Sequence, residues 1–289
     1  LSEDGRHALT VIAFVGSVFS PYYARARRRG NADPANHCAI NVVLYGPRAK
    51  RWAMTERGAR SLSRDATSFA VGPSALHWDQ GRLVIRIDEI GVPLPLRLRG
   101  EVRLTPHVLP EFAINLDGAE RHHWRPIAPS AAVEVVMEQP ALRWRGTGYL
   151  DSNWGDEPLE KGFIAWDWSR AHGDGTTAIL YHGEKRDRDT FGFAIACDAA
   201  GRFHHIEAPQ RVALPATLWR IGRATRADNP FDARVLRTYE DTPFYARSLM
   251  ETQLLGRRMI AMHESLSLDR FANPLVQLML PFRMPRRSS

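Results

Sequence analysis

The sequence predicts an all-β protein built from two barrel-like domains with few short helices. Three observations carry that reading. Strand-length apolar runs recur along nearly all 289 residues, turn residues separate them at short intervals, and helical periodicity is poor.

The strand-like runs come in order at 9–19, 37–45, 51–55, 68–71, 74–78, 82–88 and 94–105. They continue with a strand around Tyr149, then 162–169, 177–183, 190–197, 203–208, 218–223, 234–239, 244–251 and 259–268. Asp79-Gln-Gly, Gly91-Val-Pro, His172-Gly-Asp-Gly, Asp198-Ala-Ala-Gly and Asp228-Asn-Pro punctuate them, as turn chemistry requires. Segments 22–29 and 273–280 read as short helices. The chain divides near Pro126 to Pro140, where prolines bracket the run 131–137. The expected domains are 1–128 and 129–289, each near the usual single-domain size. No internal repeat relates them. The opening Leu-Ser-Glu-Asp-Gly-Arg-His reads as a hairpin turn, so a first strand is expected to precede Leu1.

Hydrophobic content of 44% and charged content of 25% are ordinary for a globular chain. The net charge is +7, and Lys50, Lys161 and Lys185 are the only lysines. A basic surplus of this size suits an anionic membrane surface. It argues against nucleic acid, because the arginines are scattered and not gathered on one readable element. The apolar run 9–19 is too short to span a bilayer, and no secretory signal is read. Cys38 and Cys197 match no metal spacing and read as two buried free thiols, with a long-range disulfide as the minor alternative.

The chemistry concentrates in Trp144-Arg-Gly-Thr-Gly-Tyr-Leu-Asp-Ser-Asn-Trp-Gly155. Tyr149, Asp151 and Asn153 alternate, so an extended backbone points all three to one side. An acid beside a phenol on an inward sheet face suggests chemistry; the competing reading is an edge strand whose Asp caps the following turn. In Arg121-His-His-Trp-Arg125, His122 and Trp124 share a face if the segment is extended. Each has a plain alternative in core packing or a surface position. Taken together, the four residues read as an acid with aromatic faces. A desolvated carboxylic acid can donate a proton near neutral pH. Aromatic faces can stabilise a developing cation. That combination suits alkene protonation through a carbocation. No phosphate loop, dinucleotide fingerprint or serine nucleophile elbow appears, and the histidines match no metal-ligand pattern. No metal and no cofactor are expected.

These residues resemble the carotenoid 1,2-hydratase family, also called hydroxyneurosporene synthase, over essentially the whole chain. The resemblance rests on Ala13-Phe-Val-Gly-Ser-Val-Phe-Ser-Pro-Tyr-Tyr23, on His122-x-Trp124 and on Gly146-Thr-Gly-Tyr-Leu-Asp-Ser-Asn-Trp-Gly155. Phe163-Ile-Ala-Trp-Asp-Trp-Ser-Arg-Ala171 and Met262-His-Glu-Ser-Leu-Ser-Leu-Asp-Arg-Phe271 add to it. It implies two lipocalin-like β-barrel domains packed together. It also implies cofactor-independent hydration of the terminal C1=C2 double bond of acyclic carotenoids such as neurosporene and lycopene. The family acid falls on Asp151, and its assisting residues fall on His122, Trp124 and Tyr149.

On that reading Asp151 protonates C2, the faces of Trp124 and Tyr149 stabilise the cation at C1, water adds there, and His122 orients the acid and relays a proton. Asn153 could anchor the water or simply make a turn hydrogen bond. Trp166 and Trp168 alternate on one strand and could line the pocket or pack in the core. The partners are an acyclic carotenoid, water and membrane lipid. A polyene dissolves in a bilayer, so the expected location is peripheral, on the cytoplasmic side of a bacterial photosynthetic or inner membrane. The segments 22–29 and 278–287 mix apolar residues with arginine, as an interfacial contact does. Two other functions fit the same residues: a terpenoid cyclase of tocopherol-cyclase type and a non-catalytic lipocalin-like terpenoid carrier.

Overall fold

A computed structural model describes residues 1–30, 32–47 and 50–287. The chain is all-β, with short helices at Pro21–Arg28, Leu159–Gly162, Leu268–Phe271 and Pro274–Met279. The first and last of these fall where the sequence placed helices, at 22–29 and 273–280; Leu159–Gly162 and Leu268–Phe271 were not expected. Contacts group the chain into two compact units. The first comprises Leu1–His107, Ala131–Tyr149 and Gln277–Ser289; the second comprises Val108–Ser130 and Leu150–Val276. Each unit therefore draws on separated stretches of chain.

In the first unit, Cys38–Tyr45 is buried along its whole length and pairs antiparallel with Ala8–Val15 and Lys50–Met54. A strand covered on both faces is apolar almost throughout; the one amide in it, Asn41, is buried and donates through Nδ2 to the Ala53 carbonyl at 3.0 Å. A meander follows: Leu62–Arg64, Ser68–Val71, Ser74–Asp79, Arg82–Ile90 and Arg97–Pro106 pair in sequence order. Within this unit Glu89 is fully buried and grips Arg57 through both oxygens, at 3.1 and 2.8 Å. Ser74 Oγ donates a third bond to it at 2.8 Å.

In the second unit, seven antiparallel strands lie in the order Phe203–His205, Thr190–Cys197, Thr176–Lys185, Phe163–Gly173, Arg257–Ser267, Tyr245–Leu254, Arg234–Asp241. One face carries the apolar core of Ala171, Leu180, Ala194 and Met250. Leu214 reaches that core from a separate two-stranded ribbon, Gln210–Leu214 with Arg223–Ala227. The other face is aromatic. Trp168 sits opposite Tyr181, which sits opposite Phe193; Trp166 sits opposite Gly183, which sits opposite Phe191.

Two long strands, His122–Gln139 and Leu142–Gly155, pair with each other and run through both units. Residues 122–130 and 150–155 belong to the second. The proline-bracketed stretch from 126 to 140 read as a divider, yet its first fourteen residues are strand. Pro126 and Pro129 fall between the part paired with Ile114–Asn115 and the part paired with Arg97–Pro106. A proline lacks the N–H that a ladder needs, and such a gap tolerates it. Of the expected strand 218–223 only Arg223 lies in a strand; before it the chain turns, Thr217 Oγ1 accepting from the Ile221 N–H, and Leu218 is 97% exposed. Both cysteines are buried and free, and burial pushes the Cys197 thiol up to about 11.

Candidate active site

Alternation along the two long strands sorts their side chains. His122 and Trp124 point to one side and are buried at 2% and 0% exposure. His123 points to the other, where it stacks on Trp154 with ring centres 5.1 Å apart and bonds Asn115 Oδ1. On the partner strand, Asp151 is half-buried. The Trp124 Nε1–H donates to Asp151 Oδ2 at 2.8 Å. Sequence spacing alone could not show that these two segments meet; the hairpin makes them meet.

The acid lies beside the aromatic face of the seven-stranded sheet. Trp124 packs edge-on against Tyr181 at 5.7 Å and tilted against Phe193 at 5.3 Å. Tyr181 contacts Phe193, Phe191 and Trp166 at 5.3, 6.1 and 6.3 Å. Phe163 links Trp166, Phe191 and the His122 ring, the last at 4.7 Å. A side chain at Gly183 would have its Cβ 2.0 Å from the Phe191 ring, so glycine is what lets that ring lie on the sheet. All of these residues belong to the second unit.

Asn153 is exposed and its Oδ1 accepts from the Tyr181 hydroxyl at 3.4 Å. Trp166 borders a cavity of about 580 Å³ that Ala165, Leu266, Arg211 and Arg270 also line. Trp168 is buried opposite Tyr181. Tyr149 is half-buried, two residues before Asp151, at the point where the strand passes from the first unit to the second.

His122 is held from its far edge. Its Nε2 lies 3.3 Å from Glu157 Oε1 and 3.9 Å from Asp117 Oδ2. Gly162 permits this approach, since a Cβ there would stand 2.7 Å from Nε2. The three groups have the donors of a small cation site, with ligand atoms within 4.8 Å of one another. Ligand-spacing rules miss them because the three come from two loops and a strand. Arg121 already supplies positive charge to both carboxylates, at 3.2 Å from Glu157 and 3.9 Å from Asp117. The arrangement thus works as an ion-pair clamp on the histidine ring. Tyr181, Phe163, Phe191 and Phe193 were missed in the sequence. The signal was present in Thr190-Phe-Gly-Phe193, where two aromatics alternate around a glycine.

A half-buried carboxyl, an indole donor and a wall of aromatic rings meet at this site. A family model for the carotenoid hydratase CrtC matches residues 11–289. The chain belongs to the carotenoid hydratase family. Among its relatives, the acyclic carotenoid 1,2-hydratase of Thiocapsa roseopersicina is 55% identical over 99% of this chain and 71% of its own length. That of Rubrivivax gelatinosus is 51% identical over 100% of this chain and 72% of its own. A solved structure of an AttH-like protein from Nitrosomonas europaea superposes with a TM-score of 0.57 at 14% identity, covering 91% of this chain and 88% of that one. That likeness speaks for the lipocalin-like fold alone. The motifs first matched to carotenoid hydratases include the segments that build the Trp124–Asp151 pair.

Proposed function

We propose that this carotenoid hydratase adds water across the terminal C1=C2 double bond of acyclic carotenoids, without a cofactor, and that Asp151 is its acid. The observation that carries the reading is the 2.8 Å bond from the Trp124 indole to Asp151 Oδ2 beside the aromatic wall. That bond fixes one carboxyl oxygen of Asp151 against the wall. The reading requires the Asp151 carboxyl to carry its proton when the substrate binds.

Asp151 gives its proton to C2, and the electron pair of the double bond forms the new C–H bond. The vacancy falls on C1, the more substituted carbon. The ring faces of Trp124 and Tyr149 stabilise that tertiary cation through their quadrupoles. Water adds at C1, and the proton it releases is taken by His122 and returned so that Asp151 is protonated for the next turnover. Glu157, 3.3 Å from Nε2, keeps the imidazole oriented. The fixed dipoles of the site provide most of the acceleration.

The substrate is a bilayer solute, so the protein meets the membrane at its surface. The segment Pro274–Met279 with Leu280–Phe282 supports this, exposing Leu275, Leu278 and Phe282 at 72, 69 and 77% next to arginines 283, 286 and 287. In the helix Pro21–Arg28, Tyr23 packs on His37 and under Arg27, so that helix offers less to a lipid surface. Flotation with anionic liposomes tests the contact: the expected result is salt-sensitive binding that Phe282→Ser weakens, and no binding sinks it.

The reaction itself is tested by incubating the protein with lycopene or neurosporene in heavy water with no additive. A hydratase yields a 1-hydroxy product with deuterium at C2. Unchanged substrate would mean a carrier, and an isomer without added oxygen would mean a cyclase.

A further inference from the structure

Within the aromatic wall, one position carries a hydroxyl. Tyr181 is 4% exposed and surrounded by Trp124, Trp166, Phe191 and Phe193. Phenylalanine would fill that space equally well, and two of its neighbours in the wall are phenylalanines. A buried phenol is costly unless its O–H finds an acceptor. Here the acceptor is Asn153 Oδ1, two residues beyond the candidate acid on the same strand face.

We propose that Tyr181 is a positioning residue for the water of hydration, acting through Asn153. The proposal rests on Asp151 being the acid. With its Oδ1 taken by the phenol, the Asn153 amide presents its N–H₂ end, and the residue is exposed so that water reaches it. Donation from that N–H₂ to the water oxygen uses one lone pair and holds the second for the cation at C1. As the C–O bond forms, the oxonium loses its proton to the base already described. The phenol keeps its proton, since burial, the largest cause, opposes its ionisation. The phenol thus remains a donor to Asn153 Oδ1.

Capturing the cation competes with its losing a proton and reverting to alkene. A badly held water shifts that competition, which gives a readout that a purely structural residue would not move. The experiment compares wild type, Tyr181→Phe, Asn153→Ala, the double variant and Asp151→Asn with lycopene in heavy water. Alcohol formation and deuterium in recovered lycopene are both measured. For Tyr181→Phe, kcat should fall about tenfold, the loss of one hydrogen bond in the transition state, with KM unchanged. The ratio of exchanged lycopene to alcohol should rise. The double variant should be no slower than Asn153→Ala, because both changes break one link. An unchanged ratio, or losses that multiply in the double variant, overturns the proposal even if the proteins melt alike. Asp151→Asn separates the two claims. If it is inactive while Tyr181→Phe behaves as wild type, only the role of Tyr181 falls. If it retains turnover, the acid assignment falls and the water-positioning role with it.

Discussion

Each unit of this protein holds a carboxyl group on its strands, Glu89 fully buried and Asp151 half-buried, and the two groups have opposite company. Glu89 in the first unit is gripped at both oxygens by Arg57 and bonded by Ser74. Burial pushes its carboxyl above the ordinary value, while Arg57 and Ser74 pull it down. Asp151 in the second unit accepts an indole N–H and lies beside Trp124, Tyr181 and Phe193. A guanidinium fork commits a carboxylate to its charge and its place. If Asp151 is the acid proposed above, its neighbours and not its burial set it apart from Glu89. Asp167, also in the second unit, sides with Glu89: burial raises it, and Ser265, Ala224 and Arg211 hold it in a polar cluster.

The contrast can be broken at either end. Glu89→Gln strands the buried Arg57 charge and should cost on the order of 3–5 kcal/mol of stability, read as a lowered denaturation midpoint. Turnover per folded molecule should be retained, and a specific loss of kcat would erase the distinction between the two acids. Trp124→Phe keeps a ring and removes the donor to Asp151. It should lower kcat by about a hundredfold with little change in folding, comparable to losing one preorganised donor. An unchanged kcat would mean that the indole bond serves packing.

A third test addresses acid stability in the second unit. His263 is 1% exposed, and burial, then the charge of Arg223, lowers it from 6.5 to about 3. Between those values the unfolded chain binds a proton that the folded chain refuses, so stability falls as pH drops below 6.5. In His263→Gln the stability lost between pH 6.5 and pH 5 should shrink by about 2 kcal/mol, measured by denaturant melts. An equally steep acid limb would place the sensitive group elsewhere. The smallest effect is expected from EDTA. If Asp117, His122 and Glu157 act as an ion-pair clamp, chelation leaves turnover unchanged; a loss restored by a divalent ion would make them a metal centre.

Much of the all-β fold was legible. Runs such as 68–71 and 190–197 end in turn residues and were found at their observed bounds. The strand through Pro126 was not, because proline signals a break unless the unpaired stretch beside it is known. Nor does spacing contain a signal for a chain that leaves a compact unit and returns to it. At the site, period-two alternation placed Asp151 with Asn153 and His122 with Trp124. The meeting of Trp124 with Asp151 depends on hairpin pairing over 27 residues, and the aromatic wall depends on strand register across a sheet. Neither register nor pairing is written in local periodicity, so Tyr181 and Phe193 went unnoticed.

The most direct measurement is turnover of lycopene by Asp151→Asn, with binding followed in parallel through the carotenoid absorption shift. The substitution keeps the size of the side chain and an oxygen for the Trp124 N–H, and removes the transferable proton. The expected result is a folded protein that binds lycopene and forms no 1-hydroxy product. A 1-hydroxy product formed at near the wild-type rate would contradict the assignment of Asp151 as the acid.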